Sequence, residues 1–263
     1  MTDFYKSIIH IDYKKENGVT IMKKILLACA VSSAAMLPSL ASAELSSTVG
    51  VVSDYTFNGI SQTDNGPALQ ASLDYDGEHF YTGAWASSVD FGDDEDTEVE
   101  LDFYAGKYFQ LSQAVSFDAG ISYYTYHGQD NKDDQTASDD LAYPEVYAKT
   151  GFASGLGQTE LNLWYSWDYF GAGDGHSVVM LAHSVDVVEN HTLRVSIDQS
   201  TFDDSDVDWD DNSSYVHYRL AYQTSYKNFN FELAAEDTDI SEGENENLAD
   251  ARIVAGVSYT FDL

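Results

Sequence analysis

The stretch VELDFYAGKYFQLSQAVSFDAGISYYTY (Val99–Tyr126) decides how the chain is read. Val99, Leu101, Phe103 and Ala105 fall on one parity, and Glu100, Asp102 and Tyr104 on the other. After a short connection near 110–113, Val115, Phe117, Ala119, Ile121 and Tyr123 alternate with Ser116, Asp118, Gly120, Ser122 and Tyr124. A two-residue period marks β-strands, because successive side chains point to opposite faces of a sheet. Strands of soluble proteins usually run ~5–6 residues. These runs are longer and match the roughly 9–11 residues that a tilted strand needs to cross a hydrocarbon layer. From Val99 to Ala105 and from Val115 to Tyr123 the apolar row carries no charge, and an Arg or Lys facing lipid at the midplane would cost about 2–4 kcal/mol. A soluble sandwich also keeps charge off its inner face, so run length discriminates better.

The pattern extends in both directions. Val49, Val51, Tyr55 and Phe57 share a parity, as do Leu69, Ala71, Leu73 and Tyr75, and then Tyr81, Trp85, Val89 and Phe91. A weaker segment spans 143–152, with Pro144 near its start. Leu161, Leu163, Tyr165, Trp167 and Tyr169 are clear again, whereas Val178–Val188 is nearly all apolar and its facing is open. Leu193, Val195 and Ile197 form the ninth segment, and three further alternating runs end at Leu263. The connections alternate in length. Long ones lie near 59–66, 92–97, 128–140, 170–176, 202–213 and 238–248, and short ones near 76–79, 110–113, 153–158, 189–191 and 227–228. This predicts an all-β, up-and-down antiparallel transmembrane β-barrel of about 12 strands, with short periplasmic turns and long acidic outer loops. Aromatics at segment ends read as interfacial girdles: Tyr55 and Phe57, Phe80 and Tyr81, Tyr108 and Phe109, Tyr165 to Phe170, Tyr226 and Phe229. The final Val257-x-Tyr259-x-Phe261-x-Leu263 run resembles the C-terminal strand signal read by outer-membrane assembly machinery, with Leu in place of the usual Phe.

The N-terminus reads as a targeting segment. Met22-Lys23-Lys24 is a basic start, Ile25–Leu40 an apolar stretch, and Ala41-Ser42-Ala43 an A-x-A cleavage site. Residues 1–21 read as an upstream-start extension, 22–43 as the signal peptide and 44–263 as one barrel domain. Leu26-Leu27-Ala28-Cys29 resembles a lipobox, but only four apolar residues precede Cys29 after Met22 and Lys24, too few for a lipoprotein signal. Cleavage after Ala43 removes the only cysteine, which rules out disulfides and Cys-based metal sites in the mature chain. The 220 residues left carry 7 Lys or Arg against 42 Asp or Glu, a net charge of −35. Nucleic acid is excluded as a partner on that charge.

The chemistry candidates are few. Asp204, Asp206 and Asp208 match the first three ligand positions of a calcium loop, but Trp209 and Tyr215 occupy the positions that need Gly and Glu. They are a weak metal candidate on a solvated loop. No G-x-S-x-G elbow is present, and Ser184 beside His183 points to the opposite face. No catalytic residue or cofactor is expected, and the chain is not read as an enzyme. On the polar parity, Glu100, Asp102, Asp118, Glu145, Glu160, Asp168 and Lys149 are predicted to face the lumen, with Arg194, Arg219 and Arg252 on later strands. These become an acidic wall and a more basic wall. Two alternatives stay open: a plug of interior ion pairs, or a transverse field across a narrow pore. Eight strands are filled by side chains and 16–18 leave an aqueous channel. In the first connection, Asn58-Gly59 and Asn65-Gly66 read as turns, and Gln62, Asp64 and Asn65 as candidate pore-mouth contacts to a solute.

SDYTFNGISQTDNGPALQASLDY (Ser53–Tyr75), then FYTGAWASSVDF and ELDFYAGKY, resemble the proteobacterial TorF-type porin family. The likeness is densest over 50–108. It implies an outer-membrane barrel and a channel, and supplies no substrate. The combined expectation is a channel in the Gram-negative outer membrane, in contact with outer-membrane lipid, that passes small polar solutes or cations by diffusion. The alternative is a closed or soluble β-protein acting as a surface binding or structural module.

Overall fold

The computed structural model describes residues 44–91, 97–128, 141–203, 209, 213–241 and 246–263. The extension 1–21, the signal segment 22–43, the acidic runs 93–96 and 130–140, Glu242, Glu244, and the metal candidates Asp204, Asp206 and Asp208 lie outside the described residues. The strands are β1 (Glu44–Val52), β2 (Thr56–Phe57), β3 (Ile60–Ser61), β4 (Ala68–Asp76), β5 (Tyr81–Ser88), β6 (Thr97–Gln110) and β7 (Val115–Gly128). They continue as β8 (Tyr143–Ser154), β9 (Gly157–Ser166), β10 (His176–Val188), β11 (His191–Phe202), β12 (Ser214–Tyr226), β13 (Phe229–Thr238) and β14 (Arg252–Asp262).

Twelve of them close into one antiparallel barrel in chain order, and β1 seals the ring between β14 and β4. Val49 stands opposite Tyr259 on one side and Ala71 on the other. Closure leaves no sheet edge, so every ladder group is paired within the wall, which is what a lipid environment demands. The long connections all lie at one end and the short turns at the other. β2 and β3 form a separate two-residue hairpin inside the first long connection.

The wall inverts the soluble rule. Phe103, Ile121, Leu163, Val195, Leu220 and Leu233 are exposed on the outside. Glu100, Asp118, Asn162, Asp198 and Thr260 are buried within. A contiguous apolar belt of this kind has no place on a soluble monomer. Within Val178–Val188 the closure settles the facing: Val178, Ala182 and Ser184 are buried inside, while Val179, Leu181 and Val185 are exposed.

The aromatics near β1 and β5 differ from the sequence expectation, as do Tyr169 and Phe170 after β9, which pack inside and not in a girdle. β1 ends at Val52, the chain turns at Ser53-Asp54, and Tyr55 and Phe57 then point inward, 5% and 9% exposed, instead of joining a girdle. In β5 the large residues also face inward: Tyr81 and Trp85 are buried, as is Val89 just after the strand, and the small Ala84 and Ala86 take the other face. The reason lies across the strands. Tyr81 pairs with Gly106 of β6, Gly106 with Gly120 of β7, and Gly120 with Tyr147 of β8. The two rings lie over this glycine floor, and their hydroxyls meet at 2.6 Å. A period-two pattern shows that a row is apolar, not which side of a closed wall it takes.

At the short-turn end the expected girdle is present. Phe80, Tyr108, Phe109, Tyr226 and Phe229 are exposed there, and Phe229 meets Tyr259 edge-on at 4.8 Å between ring centres.

Candidate functional site

The first long connection folds into the barrel and does not stand above it. Asn58 (φ 50) and Gly59 (φ 86) make a left-handed turn that closes the β2–β3 hairpin, the backbone that Asn-Gly favours. A second turn follows at Asp64 (φ 46) and Asn65 (φ 60), closed by the Gly66 N–H donating to the Thr63 carbonyl at 2.7 Å. The sequence expectation placed this turn one residue later, at Asn65-Gly66. Asp54 ties the loop together. It accepts from Ser61 Oγ at 2.6 Å, from Thr63 Oγ1 at 3.2 Å and from Arg252 Nη1 at 2.9 Å. On the other flank the Asp90 N–H donates to the Gln62 carbonyl at 2.8 Å.

Held in this way, the hairpin reaches across the lumen. The Phe57 ring lies 6.2 Å from that of Tyr124 on β7. At the tip, a Cβ on Gly59 would stand 2.7 Å from His217 Cδ2 on β12 and 2.6 Å from Thr238 Cγ2 on β13. Ile60 packs in a buried cluster with Phe202, Tyr215, Ile240 and Ala249. β7 and β12 lie five positions apart in the twelve-strand ring, so the hairpin touches nearly opposite walls. A second segment also turns inward. Tyr169 and Phe170, in the 3-10 turn Tyr169–Gly171 after β9, pack on lumenal aromatics. Tyr169 stacks on His176 at 4.1 Å and Phe170 on Tyr126 at 5.2 Å.

Beneath these segments the lumen is polar and unevenly charged. On the wall from β4 to β8, Asp74, Glu100, Asp102, Asp118 and Glu145 are buried, with Lys149 as the cation among them. Tyr hydroxyls serve the carboxylates: Tyr104 donates to Asp74, Tyr81 to Asp118 at 2.7 Å and Tyr124 to Glu145 at 2.8 Å. Lys149 Nζ lies over the rings of Tyr147 (4.7 Å) and Trp164 (5.3 Å).

The opposite wall carries the arginines, each paired with acid. Arg194 bonds Glu160 through both Nη atoms at 2.9 Å. Arg219 bonds Glu232 at 2.5 Å and also Glu236. His217 Nδ1 meets Asp198 at 2.9 Å. Arg252 lies at the outer end, on Asp54. The lumenal carboxylates thus number ten (Asp54, Asp74, Glu100, Asp102, Asp118, Glu145, Glu160, Asp198, Glu232, Glu236) against four Lys or Arg (Lys149, Arg194, Arg219, Arg252) among the described residues. The basic wall of the sequence expectation is neutralised in place, and the net field is negative. Removing one member of a buried ion pair strands the other in poor solvent, at a cost of ~3–5 kcal/mol when fully buried. Arg219→Ala, which strands two carboxylates in a partly wet lumen, is expected to cost about 2–3 kcal/mol, read as a lower urea midpoint for unfolding in micelles. Glu232→Gln is expected to cost less.

Of the other candidates, Asp64 and Asn65 are exposed at the second turn. Gln62 is buried, and its Nε2 donates to the Ile60 carbonyl at 3.1 Å, so it is committed to the loop and does not face a solute. Asp168 is not on the lumenal row. It follows the end of β9 and accepts from the Gly173 N–H at 2.8 Å, shaping the connection. Sequence reasoning missed Asp54, Tyr55 and the His217–Asp198 pair. A spaced Asp54…Ser61-x-Thr63 set was visible, but only the fold brings Arg252 to it.

A family model described as "Bacterial protein of unknown function (Gcw_chp)" matches residues 38–261. The chain belongs to this family. No curated protein matches the sequence. Among solved structures, this Gcw_chp barrel is similar to the KdgM porin, with TM-score 0.54 and 8% identity over 82% of this chain and 99% of that one. It is similar to the NanC porin, with TM-score 0.54 and 9% identity over 83% of this chain and 100% of that one. A KdgM porin in complex with disordered oligogalacturonate aligns with TM-score 0.53 and 8% identity over 83% of this chain and 99% of that one. At these identities the likeness is one of fold: these neighbours are porins, and the chain has their barrel.

Proposed function

We propose that this chain is an outer-membrane, porin-like channel that passes small polar solutes, cations in preference to anions, by diffusion. The observation that carries it is a polar lumen with ten carboxylates against four Lys or Arg among the described residues, inside a closed wall whose outside is apolar. Such a field raises the local concentration of cations and repels anions, less so as salt rises. Selection then follows from pore width and field, without bond chemistry. The acidity separates the proposed cargo from the oligogalacturonate of the KdgM complex, since a polyanion would be repelled here. The TorF-type likeness of residues 50–108, a signal peptide cleaved after Ala43 and a C-terminal strand recognised by assembly machinery belong to the same proposal. So does a mouth role for Asp64 and Asn65.

The two inward segments favour one rival, a closed structural barrel. Planar-bilayer recording of the refolded chain separates the two. The expected result is stepwise openings with a reversal potential on the K⁺ side in a KCl gradient. Silence from a barrel shown to be folded by its heat-modifiable gel migration would establish the closed reading.

A further inference from the structure

Glu100 and Asp102 sit two residues apart on β6 and therefore on one face. Both are buried, at 1% and 4% exposure. Glu100 is served by the Tyr55 hydroxyl from the first loop and by Tyr126 Oη, 3.3 Å from Oε1. Its other oxygen, Oε2, and Oδ1 of Asp102 are buried with no hydrogen-bond partner. A buried carboxylate oxygen without a partner is costly, and a proton or a cation relieves that cost. Arg252 lies on Asp54, and Arg194 and Arg219 lie with the acids of the opposite wall.

We propose that Glu100 and Asp102 form a seat for a hard divalent cation of the Ca²⁺ class, placed in the lumen beneath the first-loop hairpin. Two carboxylates supply a charge that matches a divalent ion, and they and the phenols of Tyr55 and Tyr126 offer oxygen ligands. Among the described residues no three His, Cys, Asp or Glu side chains converge as a chelating cluster, so water completes the shell. With so few protein ligands the affinity is low, on the order of 10⁻⁴–10⁻³ M. As a step in transport the seat rests on the channel reading; as a binding site it does not.

The test uses Tb³⁺, a Ca²⁺ stand-in whose luminescence is sensitised by nearby tyrosines, on the whole refolded barrel in micelles. The expected result is an emission that Ca²⁺ displaces. It is lost in the isosteric pair Glu100→Gln/Asp102→Asn and retained in Asp206→Asn/Asp208→Asn, which alters the acidic outer loop. Asp102→Asn alone, the milder change, is expected to weaken Ca²⁺ competition on the order of tenfold. Emission that persists unchanged in the lumenal pair, or its absence from the wild type, overturns the seat and leaves protonation of the carboxyls. Because this readout needs no ion flow, a silent bilayer would sink the channel and leave the seat standing.

Discussion

Replacing Thr56–Ser61 with two glycines is expected to raise the single-channel conductance several-fold. The hairpin reaches from Tyr124 on β7 to His217 and Thr238 on β12 and β13, and so takes up lumenal cross-section at the outer mouth. Twelve strands lie between a barrel that side chains fill and one that leaves an aqueous channel, so an inward segment of this size dominates the width. The wall does not depend on it, because β2 and β3 pair only with each other. The variant gives up the packing of Ile60 on Phe202 and Tyr215, a stability cost of about 1.5–3 kcal/mol for one buried aliphatic side chain. Cation preference should persist, because the lumenal carboxylates stay. Bilayer recording, with liposome swelling in a neutral sugar as a second measure, reads both effects. Unchanged conductance would place the hairpin outside the conduction path.

Gly120→Val is expected to prevent stable folding. A Cβ at Gly120 would collide with the Ala105 carbonyl oxygen of the neighbouring strand and with the Tyr147 hydroxyl. The ring can move, but the carbonyl belongs to the β6–β7 ladder. Overpacking usually costs ~1–3 kcal/mol, and a clash with ladder backbone, enlarged by a β-branched side chain, falls at or above about 3 kcal/mol. The same change removes the floor on which Tyr147 lies and the 2.6 Å contact between Tyr81 and Tyr147. Loss of heat-modifiable migration after refolding is the readout. Tyr147→Ala in the same chain should not rescue it, since the carbonyl clash stays; full rescue would mean that the tyrosine ring alone sets the constraint.

Position by position, legibility followed how local each signal is. The β6–β7 pair was plain because Val99–Ala105 and Val115–Tyr123 alternate without a break around a short turn. Asn58-Gly59 was plain as a turn because its chemistry acts within two residues. Tyr81 and Trp85 were misread because alternation reports parity alone, and their facing depends on Gly106 one strand away. Tyr55 and Phe57 were misread because nothing in Val49–Phe57 marks the bend at Asp54; the partner that stabilises it, Arg252, comes 198 residues later. Asp168 kept the parity of a strand that had already ended at Ser166.

The amino-acid order by itself determined the number of barrel strands, their up-and-down succession, the apolar and polar rows, and the separation of long from short connections, because each arises from a period or a turn spanning a few residues. Only the tertiary structure decided which row faces the lumen in β5, that the first connection crosses the mouth, and that each arginine of the later strands is matched by an acid. Those outcomes depend on closure and register, which bring together side chains from strands distant in the chain, and the energy of a buried charge is set by what lies beside it in space.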